Sequence, residues 1–147
     1  MIELFVHGRP RTAGSKSAFL NKKSGKIIVT AAGKYQKSWM ESVKYAAIEA
    51  GYNGKMLLEG PVHLTIYFHC LRPKGHFKKS GGLTKSARKY PTVKPDLTKL
   101  TRAVEDALTG LIWRDDSQVV IQDTRKLYAQ PQGAQIIIND MKENNDG

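Results

Sequence analysis

Three acids sit where their types and spacing could do chemistry: Asp96, which follows Lys94-Pro95 and opens an amphipathic run, and Asp115-Asp116 in the turn after that run. Carboxylates that share a pocket repel one another, and their pKa values rise unless a cation neutralises them. Oxygen donors of this kind suit Mg²⁺, with Mn²⁺ as a substitute. A divalent cation so held can activate water and stabilise charge building on a phosphodiester. Taken alone, the pattern leaves a second reading open. An Asp at a helix start can cap free N–H groups and suits the helix dipole, and Asp115-Asp116 can be ordinary turn residues. A helix of ~13 residues spans about 20 Å. Asp96 and Asp116 therefore meet only if the strand after the turn runs back along the helix toward its start.

The charge distribution names the class of partner. The chain has 147 residues and a net charge of +11. Residues 1–95 carry 18 Lys/Arg against four Glu, whereas residues 96–147 carry 6 Lys/Arg against nine acids. No acid occurs from Gly60 to Pro95. So lopsided a field expects a polyanion. Nucleic acid fits better than an anionic membrane, because no basic amphipathic helix with bulky apolar anchors is present. The loop Arg72–Pro91 concentrates Arg72, Lys74, Lys78, Lys79, Lys85, Arg88 and Lys89 among His76, Phe77 and Tyr90. Basic groups release counterions from phosphates, and planar rings can stack on unpaired bases, so this stretch reads as a flexible arm that orders on nucleic acid. Arg9, Arg11 and Lys16 add a second basic loop, and Lys94 and Lys99 flank Asp96.

These residues need elements to hold them. Ile2–His7 reads as a strand ended by Gly8-Arg9-Pro10, and Arg11–Lys23 as a polar loop. Lys26–Thr30 reads as a strand paired through Lys23-Ser24-Gly25. Thr30 can cap a helix over Ala31–Ala50, whose Tyr35, Trp39, Val43 and Ala46/Ala47 recur at helical steps, with Gly51 as its terminator. Lys34, Lys37 and Lys44 lie on its other faces. Pro61–Leu71 is the clearest strand, with Val62, Leu64, Ile66 and Phe68 on one face and His63, Thr65, Tyr67 and His69 on the other. The six-residue spacing of His63 and His69, with no acid nearby in sequence, argues against a metal site there. Cys70 is the only cysteine, so no intrachain disulfide forms, and it reads as a small buried hydrophobe. Leu97–Thr109 is amphipathic through Leu97, Leu100, Val104, Ala107, Leu108 and Leu111, with Lys99, Arg102, Glu105 and Asp106 outside the stripe. Gln118–Thr124 and Ala134–Asn139 complete the strands, and a tail over 142–147 frays. One α/β (α+β) domain over 1–147 is expected, a small mixed β-sheet with two main helices packed on it. Without a signal peptide or an apolar membrane span, a cytoplasmic protein is expected.

The stretch Lys94-Pro95-Asp96-Leu97-Thr98-Lys99-Leu100 to Asp106-Ala107-Leu108-Thr109-Gly110, followed by Trp113-Arg114-Asp115-Asp116-Ser117-Gln118-Val119-Val120, resembles the signature of the RusA family of Holliday junction resolvases. That signature is an Asp-Leu-Asp-Asn/Lys-Leu helix ending in Asp-Ala-Leu, then Asp-Asp-Ala/Ser-Gln-Val. The resemblance implies a homodimeric Mg²⁺-dependent endodeoxyribonuclease that nicks four-way DNA junctions in pairs, in a bacterial cell and from a phage or prophage setting. It implies Asp96 and Asp116, with Asp115, as catalytic and metal-holding acids. Arg102 stands where the family often has a functional lysine, and with Lys99 it would steady the scissile phosphate. One departure matters: Thr98 stands where the family usually has a second helix-start aspartate. Asp115 is the expected substitute, since Asp106 lies almost three turns along the helix and reads as the i+4 partner of Arg102. A junction binder with weak or absent catalysis, a nuclease for flaps, other branched DNA or single strands, and an RNA- or ribosome-associated basic protein are the rival expectations.

Overall fold

A computed structural model describes residues 1–12, 18–20, 27–29 and 31–142, with side chains not described at 18–20, 27–29 and 31–38. The strands are β1 (Ile2–His7), β2 (Ala18–Leu20), β3 (Ile27–Val29), β4 (Val62–Cys70), β5 (Val119–Tyr128) and β6 (Gly133–Asp140). The helices are α1 (Ala31–Glu49) and α2 (Leu97–Leu108). Four strands form a mixed sheet in the order β1-β6-β4-β5, with β4 and β5 parallel and the other pairs antiparallel. The expected α+β sheet with two helices is therefore what the chain forms.

Alternation explains the sheet. Val62, Leu64, Ile66 and Phe68 are fully buried on one face of β4, beside Leu4 and Val6 of β1 and Ala134, Ile136 and Ile138 of β6. Against this face α2 lays Leu100, Ala103, Val104, Ala107 and Leu108, and α1 lays Trp39, Val43 and Ala47. Burying each of these side chains contributes roughly 1.5–3 kcal/mol, less for the alanines.

The cross-strand rows change character at β5, and this change positions the site. The row Leu4–Ile136–Ile66 ends in Thr124, Val6–Ala134–Phe68 ends in Lys126, and Ile138–Leu64 ends in Gln122. Among the described residues no strand pairs with the outer side of β5, so its inner face borders solvent at one edge and carries polar side chains where the rest of the sheet is apolar.

Several expectations shift. Ala18–Leu20, expected within a loop, pairs with Ile27–Val29; the turn between them and Thr30 lie outside the described residues. β5 runs four residues beyond Thr124, because pairing with β4 carries the strand past the point where its apolar pattern stops. His63 does have an acid beside it: parallel pairing of β4 with β5 places Asp123 Oδ2 2.7 Å from His63 Nε2. Cys70 is half-buried rather than buried. The arm over 72–91 is bonded to itself: Arg72 Nη1 donates to Arg88 O at 2.7 Å, and Phe77 bridges Leu83.

Candidate active site on the flank of α2

A 12-residue helix without glycine, proline or a sustained β-branched run, α2 buries its apolar stripe and turns its other flank toward β5. On that flank Leu97, Thr98, Thr101, Arg102 and Glu105 face Gln122 and Thr124 across a cleft of about 220 Å³. Residues three and four apart share a helix face, which is why Thr98, Arg102 and Glu105 line it together. Thr101 is buried, and its hydroxyl donates to Leu97 O at 2.9 Å, so it adds no polar group to the cleft that lacks a partner.

Asp96 opens α2 with extended backbone (φ −69, ψ 137), but its side chain makes no capping hydrogen bond. The carboxylate is exposed, with Lys99 Nζ 3.7 Å from Oδ2. The turn that carries it is held from β5: Lys126 Nζ donates to Val93 O at 2.9 Å and to Pro95 O at 3.0 Å.

Asp115 is used differently. It precedes a 3-10 turn over Asp116–Gln118, accepts from Ser117 N at 2.9 Å, and forms a capping box with Gln118. Gln118 Oε1 accepts from the backbone N–H groups of Arg114 and Asp115, while its amide donates to Leu58 O and Gly60 O. Hydrogen bonds from the Ser117 backbone, then from its side chain, hold the Asp115 carboxyl below its usual range.

Glu105 lies outside the apolar stripe of α2, which marks it as outward-facing by periodicity alone. It is half-buried in the cleft and hydrogen-bonded to Gln122 of β5. Burial raises its pKa; the Gln122 bond works against the rise, and the neighbouring charges of Asp116 and Asp106 add to it. Its seven-residue spacing from Thr98 was the available signal. Arg102 does not form the expected pair with Asp106; it lines the cleft, where its charge favours the ionised form of Glu105.

β5 does run back along α2 toward its start, as its far-end contact between Lys126 and Pro95 shows. Asp116, however, precedes β5 and stays at the opposite end of the helix from Asp96. The 12 residues of α2 put about 18 Å between those ends. Among the described residues, no three His, Cys, Asp or Glu side chains are grouped to hold a metal ion. The donors along this flank are all oxygen and suit a hard cation in kind, but one chain divides them between two places.

The basic residues also divide. Arg9, Arg72, Arg88 and Lys94 converge with Lys126 on one pocket beside the Asp96 turn. Lys74, Lys78, Lys79, Lys85 and Lys89 are exposed along the arm. Arg11 is half-buried, Lys44 is exposed on α1, and Lys16 and the side chains of Lys34 and Lys37 lie outside the described residues. No described helix is long and apolar enough to cross a membrane.

Comparison with known proteins gives two matches. Residues 8–139 match the family model for endodeoxyribonuclease RusA. The chain is also 27% identical over 144 residues to an uncharacterized protein of Bacillus subtilis (strain 168), YqaN, with 95% of this chain and 96% of the relative covered.

Proposed function

Because the chain belongs to the RusA family of endodeoxyribonucleases, we propose that it is a Mg²⁺-dependent endonuclease that binds four-way (Holliday) DNA junctions as a homodimer and resolves them by paired nicks. The observation that carries this reading is the Asp96 carboxylate, which opens α2 with no capping bond to make and lies beside the cleft that holds Arg102. Asp96 and Asp116 would hold the cation, with Asp115 fixing the turn that carries Asp116, and Glu105 supplies a carboxylate on the flank where Thr98 has none. Bound Mg²⁺ would activate water and neutralise charge on the phosphodiester.

The chain's own residues do the rest. Arg102 presents a planar guanidinium to the scissile phosphate, with fork geometry that a lysine lacks. Lys99, whose Nζ lies 3.7 Å from Asp96 Oδ2, would help Arg102 steady that phosphate. The arm cations and Arg9 neutralise DNA backbone charge on either side.

The division of acids supports the homodimer. Two copies related by a two-fold axis, with their α2 helices antiparallel along the open edges of β5, would set Asp96 of one copy against Asp116 of the other, twice. Two such sites suit opposed strands of a junction with approximate two-fold symmetry.

The test is incubation of the protein with a labelled four-way junction and a linear duplex of the same sequence, with and without Mg²⁺. Paired nicks in the junction alone, and only with the cation, are expected. Junction binding without cutting would favour the reading that Thr98 has left a binding protein. Equal cutting of flaps would widen the substrate class, and indifference to both DNAs would overturn the proposal.

A further inference from the structure

The pocket beside the Asp96 turn has a volume of about 450 Å³, inside the ~300–1,000 Å³ of small-molecule sites. Two features set it apart from a groove that merely tracks a phosphate backbone. Its accessible apolar wall is Val93 and Pro95, with the ring of Tyr128 at one side. Its charged lining is all positive, with no acid among the lining residues.

The five cations are not equivalent. Lys126 is committed to the carbonyls of Val93 and Pro95. Arg72 is committed to Arg88 O and His76 and lies 4.3 Å over the Tyr128 ring. The Arg9, Arg88 and Lys94 side chains form no ion pair among the described residues and line the pocket. An apolar wall, an aromatic edge and unpaired cations match one ligand class: a planar base carrying a phosphate. Phosphate alone would leave the apolar wall unused, and an apolar ligand would leave the cations unused.

Bases inside a duplex cannot reach such a pocket, whereas a base at a branch point or in a single strand is cheaper to unstack. We propose that this pocket takes one unstacked nucleotide of the strand that passes Asp96, its base against Val93 and Pro95 beside Tyr128 and its phosphate on Arg9, Arg88 and Lys94. This rests on the junction-nuclease reading for the identity of the strand, and on the pocket alone for the nucleotide. The pocket abuts the Asp96 turn through Lys94 and Pro95, so the base it accepts sets where along the strand the cut falls.

The experiment uses two DNAs, a four-way junction with 2-aminopurine stepped through the branch point and a single strand carrying the same label, both in EDTA. They are titrated with the wild type, Val93→Trp and Arg88→Ala. Val93→Trp fills the pocket. Arg88→Ala removes a cation whose side chain makes no hydrogen bond or ion pair among the described residues, and its backbone carbonyl still accepts from Arg72. Circular dichroism verifies folding, and Arg88→Ala carries the test if the filled variant does not fold.

Brightening of one branch-point position on wild-type binding is expected, lost in both variants together with about tenfold weaker binding. Brightening at no position while the junction is bound, or brightening that survives both variants, overturns the pocket assignment and leaves the nuclease reading intact. Variants that bind less tightly with the label silent throughout would show phosphate anchoring only, which also overturns it. A protein that cuts no junction yet brightens the labelled single strand, in a way Val93→Trp abolishes, keeps the pocket and removes the junction reading.

Discussion

Asp96 and Asp115 occupy the same kind of position, one residue ahead of a helical turn with extended backbone, and the structure uses them in opposite ways. Asp115 bonds Ser117 N and works with Gln118, whose amide ties the turn to Leu58 and Gly60. At Asp96 the backbone carbonyl accepts from Leu100 N, the turn is pinned by Lys126 from β5, and the carboxylate is left over. An aspartate becomes structural where local N–H groups claim it. It stays available where tertiary contacts hold the turn instead.

The largest effect expected from this contrast is on activity. Asp96→Asn and Asp116→Asn should each lower junction cleavage by at least about a hundredfold, a loss on the scale of removing one transition-state electrostatic partner, with junction affinity unchanged or tighter. Single-turnover cleavage alongside gel-shift titration measures both. A variant at either position that cuts near the wild-type rate would remove that residue from the site.

Next comes the support of the Asp96 turn. Lys126→Met keeps the stem but strips two carbonyls of a charged donor, a loss of about 1–3 kcal/mol. Urea unfolding should register it, and cleavage should fall further than binding. Full activity in this variant would mean that the turn holds without β5.

Stability separates the two aspartates directly. Asp115→Ala should lower Tm by a few degrees, and Asp96→Ala should leave it almost unchanged. The Asp115 carboxyl is held below its usual range, so the stability it contributes is present above the unfolded-state pKa and is lost as pH falls through the folded one. The gap between the two variants should therefore close in acid. Equal Tm losses at neutral pH would erase the contrast.

The smallest effect is at Glu105. Its raised pKa, caused first by burial, means that the folded state holds a proton the unfolded state gives up. The associated stability is present below the unfolded pKa and disappears as pH rises through the folded one. Glu105→Gln should thus be neutral or slightly stabilising near pH 7, with the advantage vanishing toward pH 4. If Mg²⁺ binds at this flank, the cation should stabilise the wild type more than the variant in thermal scans.

Much of this was legible in the residues themselves. Alternation over Val62–Phe68 specifies a strand with one buried face, and the three- and four-residue spacing of Leu100, Val104 and Leu108 specifies the side of α2 that packs. The absence of acids from Gly60 to Pro95 announces a polyanion partner, and the order of Asp96, Asp115 and Asp116 carries the family signature. Each is a local property, because helix and strand periods act over a few residues and charge sums need no geometry.

Tertiary structure alone decided the rest. The pairing of His63 with Asp123, sixty residues apart, exists because β4 and β5 are parallel in one register. Glu105 becomes a cleft residue because β5 is an edge strand whose inner face is polar at Gln122 and Thr124. Arg9 meets Arg88 and Lys94 at one pocket because the end of β1 lies near the ends of β4 and β5. The sequence placed carboxylates at both ends of α2. Only the fold, in which β5 returns along the helix after Asp116 has already been passed, put about one helix length between them.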